Sequence, residues 1–94
     1  MSIKTKGAAL GAAALLLAAS TAAQAADPAF CRNYATAAVR QVRIALTNPR
    51  CAMVAVGARW SPYYRVHFNW CLGAPYAAAG RERDARTYYL RRCR

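Results

Sequence analysis

The chain has 94 residues and a net charge of +11, with 14 basic side chains against three acidic ones and a single histidine. Its longest apolar run, residues 8–19, is far shorter than the ~20 residues that span a bilayer, so we do not expect a membrane-spanning protein. G-x-S-x-G, H-E-x-x-H and phosphate-loop motifs are absent, which argues against the enzyme classes built on them.

The N-terminus is typical of a secretory signal peptide. Lys4 and Lys6 precede the apolar run, and Ala23-Gln24-Ala25 forms a small-x-small cleavage site. We therefore predict a signal peptide over residues 1–25, export to the periplasm or the cell exterior, and one mature domain over residues 26–94. Both lysines leave with the signal peptide, so the mature domain carries twelve arginines against three acids.

A domain of this size has only a marginal hydrophobic core and needs covalent or metal support. Four cysteines survive cleavage, namely Cys31, Cys51, Cys71 and Cys93. An even number of cysteines in an exported chain predicts two disulfides. Spacings of 20, 20 and 22 residues do not fit the close C-x2-C pairs of zinc sites, so we expect neither a metal nor another cofactor.

The first helix is predicted to start at Asp27-Pro28 and to stop before Asn48-Pro49. Apolar residues recur with helical spacing on one face: Phe30, Cys31, Tyr34, Ala35, Ala38, Val39, Val42, Ala45 and Leu46. The opposite face carries Arg32, Asn33, Thr36, Arg40 and Arg43. Residues 50–60 that follow are compatible with either a short helical turn or an extended piece.

A second helix is predicted with Ser61 as its N-cap, Pro62 at its first position and Gly73 at its end. Its buried face would carry Tyr63, Val66, His67, Trp70 and Cys71.

A third helix is predicted from about Arg81 to Cys93, with Glu82 and Arg86 forming an ion pair four residues apart. Its inner face would carry Ala85, Tyr89, Leu90 and Cys93. Together the three helices predict an all-α fold, a small antiparallel three-helix bundle stapled by two disulfides.

The antiparallel order constrains the disulfide pairing. A bond between Cys31 and Cys51 would have to bridge about 24 Å of helix and is excluded. Short connections favour Cys31 with Cys71 and Cys51 with Cys93. The other arrangement, Cys31 with Cys93 and Cys51 with Cys71, stays open if residues 50–60 run back along the bundle.

The spacing of cysteines and aromatic residues resembles a family of small exported bacterial proteins. The residues that carry this resemblance are Cys31-x2-Tyr34-Ala35, then Cys51, Arg59-Trp60, His67-x2-Trp70-Cys71-Leu72 and Glu82-x3-Arg86-x3-Leu90-x2-Cys93. Members are helical, contain four cysteines and have no established function, so the resemblance implies architecture and location but no activity.

We expect a non-catalytic protein that binds an anionic component of the cell envelope, such as a lipid head group or an acidic glycan, or an acidic protein partner. Each of its arginines can bind a phosphate or carboxylate through two parallel hydrogen bonds. The candidate anion-binding residues are Arg32, Arg40, Arg43, Arg83 and Arg91. Nucleic acid is not expected as the ligand, because export removes the chain from most of it.

Three other hypotheses stay open. Tyr64, Phe68 and Leu72 form a second apolar flank of the aromatic helix, which we interpret as a patch for a protein partner. The second hypothesis is a cationic membrane-active or stress-related secreted protein, although two disulfides would hold its helices closed. The third is a small enzyme or cofactor carrier that uses His67, but the acids that would have to orient this base lie far away in the sequence.

Overall fold

The computed structural model describes residues 24–94, which form an all-α domain. The elements follow in chain order as α1 (Pro28–Leu46), α2 (Pro49–Ala52), a 3₁₀ turn (Ala58–Trp60), α3 (Tyr64–Leu72) and α4 (Tyr76–Cys93). Three long helices match the prediction, and α2 is one extra turn. In this part of the chain, no helix has both the length and the apolarity needed to cross a membrane. The predicted signal peptide lies outside the described residues except for its last two positions.

The start of α1 at Asp27-Pro28 is confirmed. Asp27 accepts a hydrogen bond from the Phe30 amide at 2.8 Å and thereby caps the helix. This hydrogen bond, together with one from the Tyr76 hydroxyl, lowers the pKa of Asp27. Most of the buried residues of α1 are small, which favours close approach of neighbouring helices. They are Cys31, Tyr34, Ala35, Ala37, Ala38, Val42 and Ala45.

The favoured disulfide pairing is confirmed. Cys31 is bonded to Cys71 and Cys51 to Cys93, with Cα atoms 5.6 and 5.0 Å apart. The first bond joins the start of α1 to the end of α3, so these two helices run antiparallel. The second joins the segment just after α1 to the end of α4, so α4 runs in the same direction as α1. The bundle therefore has the predicted up-down-up order.

α1 is the central helix, and α3 and α4 each pack mainly against it. One buried cluster surrounds the first disulfide and contains Ala26, Cys31, Tyr34, Cys71 and Ala79. Another surrounds the second disulfide and contains Val42, Ala45, Cys51, Trp60 and Leu90. Because α3 and α4 meet each other only sparsely, a cleft remains between them.

Residues 50–60 form two short helical turns joined by a turn, which is the first of the two forms that the sequence left open. α2 is a single turn capped by the Asn48 side chain, whose oxygen accepts hydrogen bonds from the Arg50 and Cys51 amides. Gly57 then adopts a φ of +91°, which a residue with a side chain rarely adopts, and the 3₁₀ turn follows. This turn buries Trp60 against the second disulfide.

The predicted start of the second helix is wrong. α3 begins at Tyr64 with Tyr63 as its N-cap, so Ser61 is not the cap and Pro62 is not the first helical residue. Ser61 instead ends the 3₁₀ turn, since its amide donates to the Ala58 carbonyl and its backbone is extended.

The predicted buried face of this helix is only partly right. His67 and Cys71 are buried, whereas Tyr63, Val66 and Trp70 are exposed. The reason is that α3 packs mainly against α1, so the side of α3 that carries Val66 and Trp70 borders the cleft.

The third helix starts five residues earlier than predicted, at Tyr76 instead of Arg81. Residues 77–79 are alanines, which are strong helix formers, and Pro75 precedes them as the N-cap.

The predicted inner face of this helix is also only partly right. Leu90 is buried as expected, Ala85 and Cys93 are half-buried, and Tyr89 is exposed. The main correction is Arg86, which is fully buried and does not pair with Glu82.

Candidate functional site

Three of the predicted anion-binding residues form a row on the outer face of α1, which we call the arginine stripe: Arg32, Arg40 and Arg43. At 100° per residue they lie within about 80° of the helix circumference, and they span about 16 Å of its length. All three side chains are exposed. The helix itself, from Pro28 to Leu46, contains no acidic residue.

The other two predicted arginines lie on α4 and are also exposed. The Arg83 carbonyl accepts a hydrogen bond from the Gln41 side chain at 3.2 Å, which places this part of α4 beside α1. Arg91 lies in the last turn of α4, at the end of the bundle that holds the Cys51–Cys93 disulfide.

Arg50 and Arg92, which were not among the predicted anion-binding residues, are exposed at this same end. They lie on α2 and α4, more than 40 residues apart in the chain, and the disulfide between Cys51 and Cys93 joins these two elements. No spacing rule along a single helix would have grouped them.

Most of the positive charge is not neutralised by neighbouring carboxylates. Ten of the twelve arginines are exposed: Arg32, Arg40, Arg43, Arg50, Arg65, Arg81, Arg83, Arg91, Arg92 and Arg94. Within residues 24–94, the only salt bridge joins Arg59 to Glu82. Among the described residues, Asp27 and Asp84 form no salt bridge, and Asp27 accepts hydrogen bonds as the cap of α1.

The cleft between α3 and α4 has a volume of about 300 Å³. It is lined by Tyr34, Ala58, Arg59, Val66, His67, Trp70, Glu82 and Arg86. The rings of Tyr34 and Trp70 lie 5.6 Å apart, and Trp70 is 43% exposed. The cleft thus combines aromatic and aliphatic surface with two guanidinium groups and one carboxylate.

Arg86 is 0% exposed and borders the cleft from α4. Its Nε donates to the Gln41 side-chain oxygen at 2.7 Å, and its Nη1 donates to the Arg59 carbonyl at 3.2 Å. Its guanidinium also lies over the Tyr34 ring, 5.2 Å from the centroid. The remaining nitrogen, Nη2, has no hydrogen-bond partner in the described part of the chain. A buried donor left unpaired costs about 1–3 kcal/mol.

The burial of Arg86 agrees with the helical periodicity of α4. It lies seven residues after Ala79 and four before Leu90, and both of these residues are buried on α4. This spacing puts all three on one face of the helix. The arginine was missed because its charge suggested a surface ion pair.

Glu82 forms its ion pair with Arg59 of the 3₁₀ turn instead. The two side chains make parallel hydrogen bonds of 2.8 and 3.0 Å, the two-point geometry that arginine favours with carboxylates. This pairing lowers the pKa of Glu82 and raises that of Arg59. Glu82 therefore neutralises Arg59, and the nearby Arg86 forms no salt bridge with this carboxylate.

His67 lies in the wall of the cleft and is buried. Its Nε2 is 2.7 Å from the Ser61 carbonyl, so a neutral ring that donates from Nε2 fits this geometry. Burial lowers the pKa of His67 and the Arg86 charge lowers it further, while the Ser61 carbonyl opposes the shift. This contact ties α3 to the segment before it.

The predicted partner patch is divided between the core and the surface. Phe68 is half-buried against the cluster around the Cys31–Cys71 disulfide. Tyr64 stacks on Phe68 with ring centroids 5.8 Å apart, and both Tyr64 and Leu72 are exposed. A role of this patch in binding a partner stays a prediction.

Comparisons of the chain with protein-family models, with curated proteins and with solved structures found no significant match.

Proposed function

We propose that this chain is an exported, non-catalytic protein that binds an anionic component of the cell envelope through its exposed arginines. The observation that carries the proposal is the arginine stripe, three exposed guanidinium groups on a helix without a single acid. Further support comes from the two disulfides, which are typical of proteins in an oxidising, exported environment.

The chemistry of arginine fits such ligands. A guanidinium is permanently charged and can hold a phosphate or carboxylate with two hydrogen bonds. Lipid head groups and acidic glycans present such groups repeatedly, so several arginines can be engaged at once. The ligand class is therefore a surface or polymer with closely spaced negative charges.

The test compares the oxidised domain with an Arg32→Gln, Arg40→Gln, Arg43→Gln variant. The probes are phosphatidylcholine vesicles with and without phosphatidylglycerol, and alginate immobilised on beads. We expect binding to both anionic probes, weakened by salt, since screening shortens the reach of exposed charges. One arginine near an anionic surface contributes about 1 kcal/mol, so the triple variant should bind roughly a hundredfold more weakly.

A matched control is the Arg65→Gln, Arg81→Gln, Arg92→Gln variant, which loses the same charge from other parts of the surface. We expect it to bind substantially better than the stripe variant. Equal binding by the two variants would overturn the assignment to the stripe, and retention of wild-type binding by both would overturn the proposal.

Leakage of the same vesicles separates this proposal from a membrane-active role. The disulfides join α1 to α3 and α2 to α4, so the helices are not free to open onto a bilayer. Binding without release of an entrapped dye is the expected result.

A further inference from the structure

We propose that the cleft between α3 and α4 is a second binding site, which takes a small monocarboxylate with an aromatic or aliphatic body and places its carboxylate against Arg86. This site is separate from the arginine stripe and does not depend on it. The inference rests on an unpartnered buried donor, the local balance of charge and the chemistry of the walls.

The first observation is the unpartnered nitrogen of Arg86. Two of its three guanidinium nitrogens donate to Gln41 and to the Arg59 carbonyl, which fixes the plane of the group. Nη2 has no such partner, although the side chain is 0% exposed and borders the cleft. A carboxylate oxygen at the base of the cleft would supply the missing acceptor once the neighbouring side chains that cover Nη2 move aside. Away from bulk water, such a charged contact is stronger than on the surface.

The second observation is the charge of the cleft. Its charged side chains are Arg59, Glu82 and Arg86. Arg59 and Glu82 neutralise each other through their paired hydrogen bonds, which leaves the single positive charge of Arg86. One monovalent anion balances this charge, whereas a dianion such as a phosphate ester would exceed it.

The third observation is the remaining surface of the cleft. Val66 and the rings of Tyr34 and Trp70 offer apolar and aromatic walls. A volume of about 300 Å³ lies at the lower end of the range found for small-molecule sites, which restricts the body of the ligand to roughly one ring or a short chain.

The test uses phenylacetate as the probe and phenylacetamide, which has the same shape without the charge, as its control. Binding is followed by NMR through the indole N–H signal of Trp70 and the backbone amide signal of Val66. We expect saturable shifts with phenylacetate and affinity at least about tenfold lower for the amide, since a hydrogen bond to a charged group is worth more than a neutral one. Equal affinities, or no shifts with phenylacetate up to about 10 mM, would overturn the proposal.

Two pairs of variants locate the site. Arg86→Gln should abolish the preference for phenylacetate over the amide. Because this change affects a buried network, a second pair avoids it: Val66 is 41% exposed, so Val66→Glu and Val66→Gln should both fold. The glutamate adds a negative charge to the wall and should weaken phenylacetate binding at least about tenfold relative to the glutamine.

The arginine stripe provides the last control. The Arg32→Gln, Arg40→Gln, Arg43→Gln variant should bind phenylacetate as the wild type does. If Val66→Glu and Val66→Gln bind equally, or if the stripe variant loses the phenylacetate signal, the cleft is not the site. Neither outcome bears on binding of anionic vesicles, so the two proposals fail independently.

Discussion

α3 and α4 share α1 as their packing partner but contact it through different chemistry. We call the interface of α1 with each neighbouring helix a seam. The seam with α3 is apolar and aromatic, with Tyr34 beside Trp70 and the Cys31–Cys71 bond in its core. The seam with α4 is polar along its middle, where the Gln41 side chain contacts Arg83, Arg86 and Thr87. One central helix is thus held by two kinds of interaction.

The difference shows what each seam contributes. Apolar burial is non-directional and tolerates small shifts between helices. Hydrogen bonds need a fixed distance and angle, so the Gln41 contacts specify how far α4 is displaced along α1. The same contacts hold the Arg86 guanidinium at the cleft, where an apolar seam would have placed an aliphatic side chain.

The largest expected effect comes from removing either disulfide. Cys31→Ser with Cys71→Ser, and Cys51→Ser with Cys93→Ser, open loops with separations of 40 and 42 residues. In the chain-entropy model each loss costs about 4 kcal/mol. Unfolding in guanidinium chloride under non-reducing conditions measures both. A variant as stable as the wild type would show that the disulfide it lacks does not stabilise the domain.

Next in size is the polar network of the α4 seam. Arg86→Met leaves the Gln41 side-chain oxygen and the Arg59 carbonyl without this donor, and we expect a loss of about 1–3 kcal/mol. Gln41→Leu should also destabilise the domain, because the buried guanidinium then loses an acceptor. Urea unfolding of both single variants and the double variant should give a double-mutant loss smaller than the sum. Strict additivity would contradict the network.

A smaller effect is expected for the ion pair at the edge of the cleft. The Arg59 and Glu82 side chains are 37% and 28% exposed, so solvent weakens their attraction. Glu82→Gln should therefore cost only about 0.2–1 kcal/mol. Asp84→Asn removes the same charge from an acid without a salt-bridge partner and should change the midpoint of urea unfolding less. The reverse order would contradict the pairing.

The smallest effect is expected from the titration of His67. Burial lowers its pKa below the ordinary 6.5, while the Ser61 carbonyl partly opposes the shift. As the pH falls below about 6.5, the unfolded chain binds the proton more readily than the folded one, so stability declines. Urea midpoints at pH values of about 7.5 and 5.5 should differ for the wild type and converge for His67→Gln. An equal difference in both proteins would assign the dependence to other groups.

The sequence predicted the features that depend on local spacing. Helix α1, its Asp27 cap, the exposed arginine stripe and the favoured disulfide pairing all follow from periodicity and chain length. Prediction from the sequence failed where a residue can interact with two different elements. Ser61 is of a type that often caps helices, but here it closes the preceding turn. Glu82 pairs with Arg59 of the 3₁₀ turn, a contact that no pattern within α4 reveals.

The separation of the stripe from the cleft is tested most directly by NMR with residue-level assignment of the oxidised domain. Alginate and phenylacetate are added in separate titrations, and the shifted amide signals are mapped onto the structure. We expect alginate to shift residues around Arg32, Arg40 and Arg43, and phenylacetate to shift those around Val66 and Trp70. Shifts in the same residues with both probes, or alginate shifts that avoid α1, would contradict two distinct anion sites.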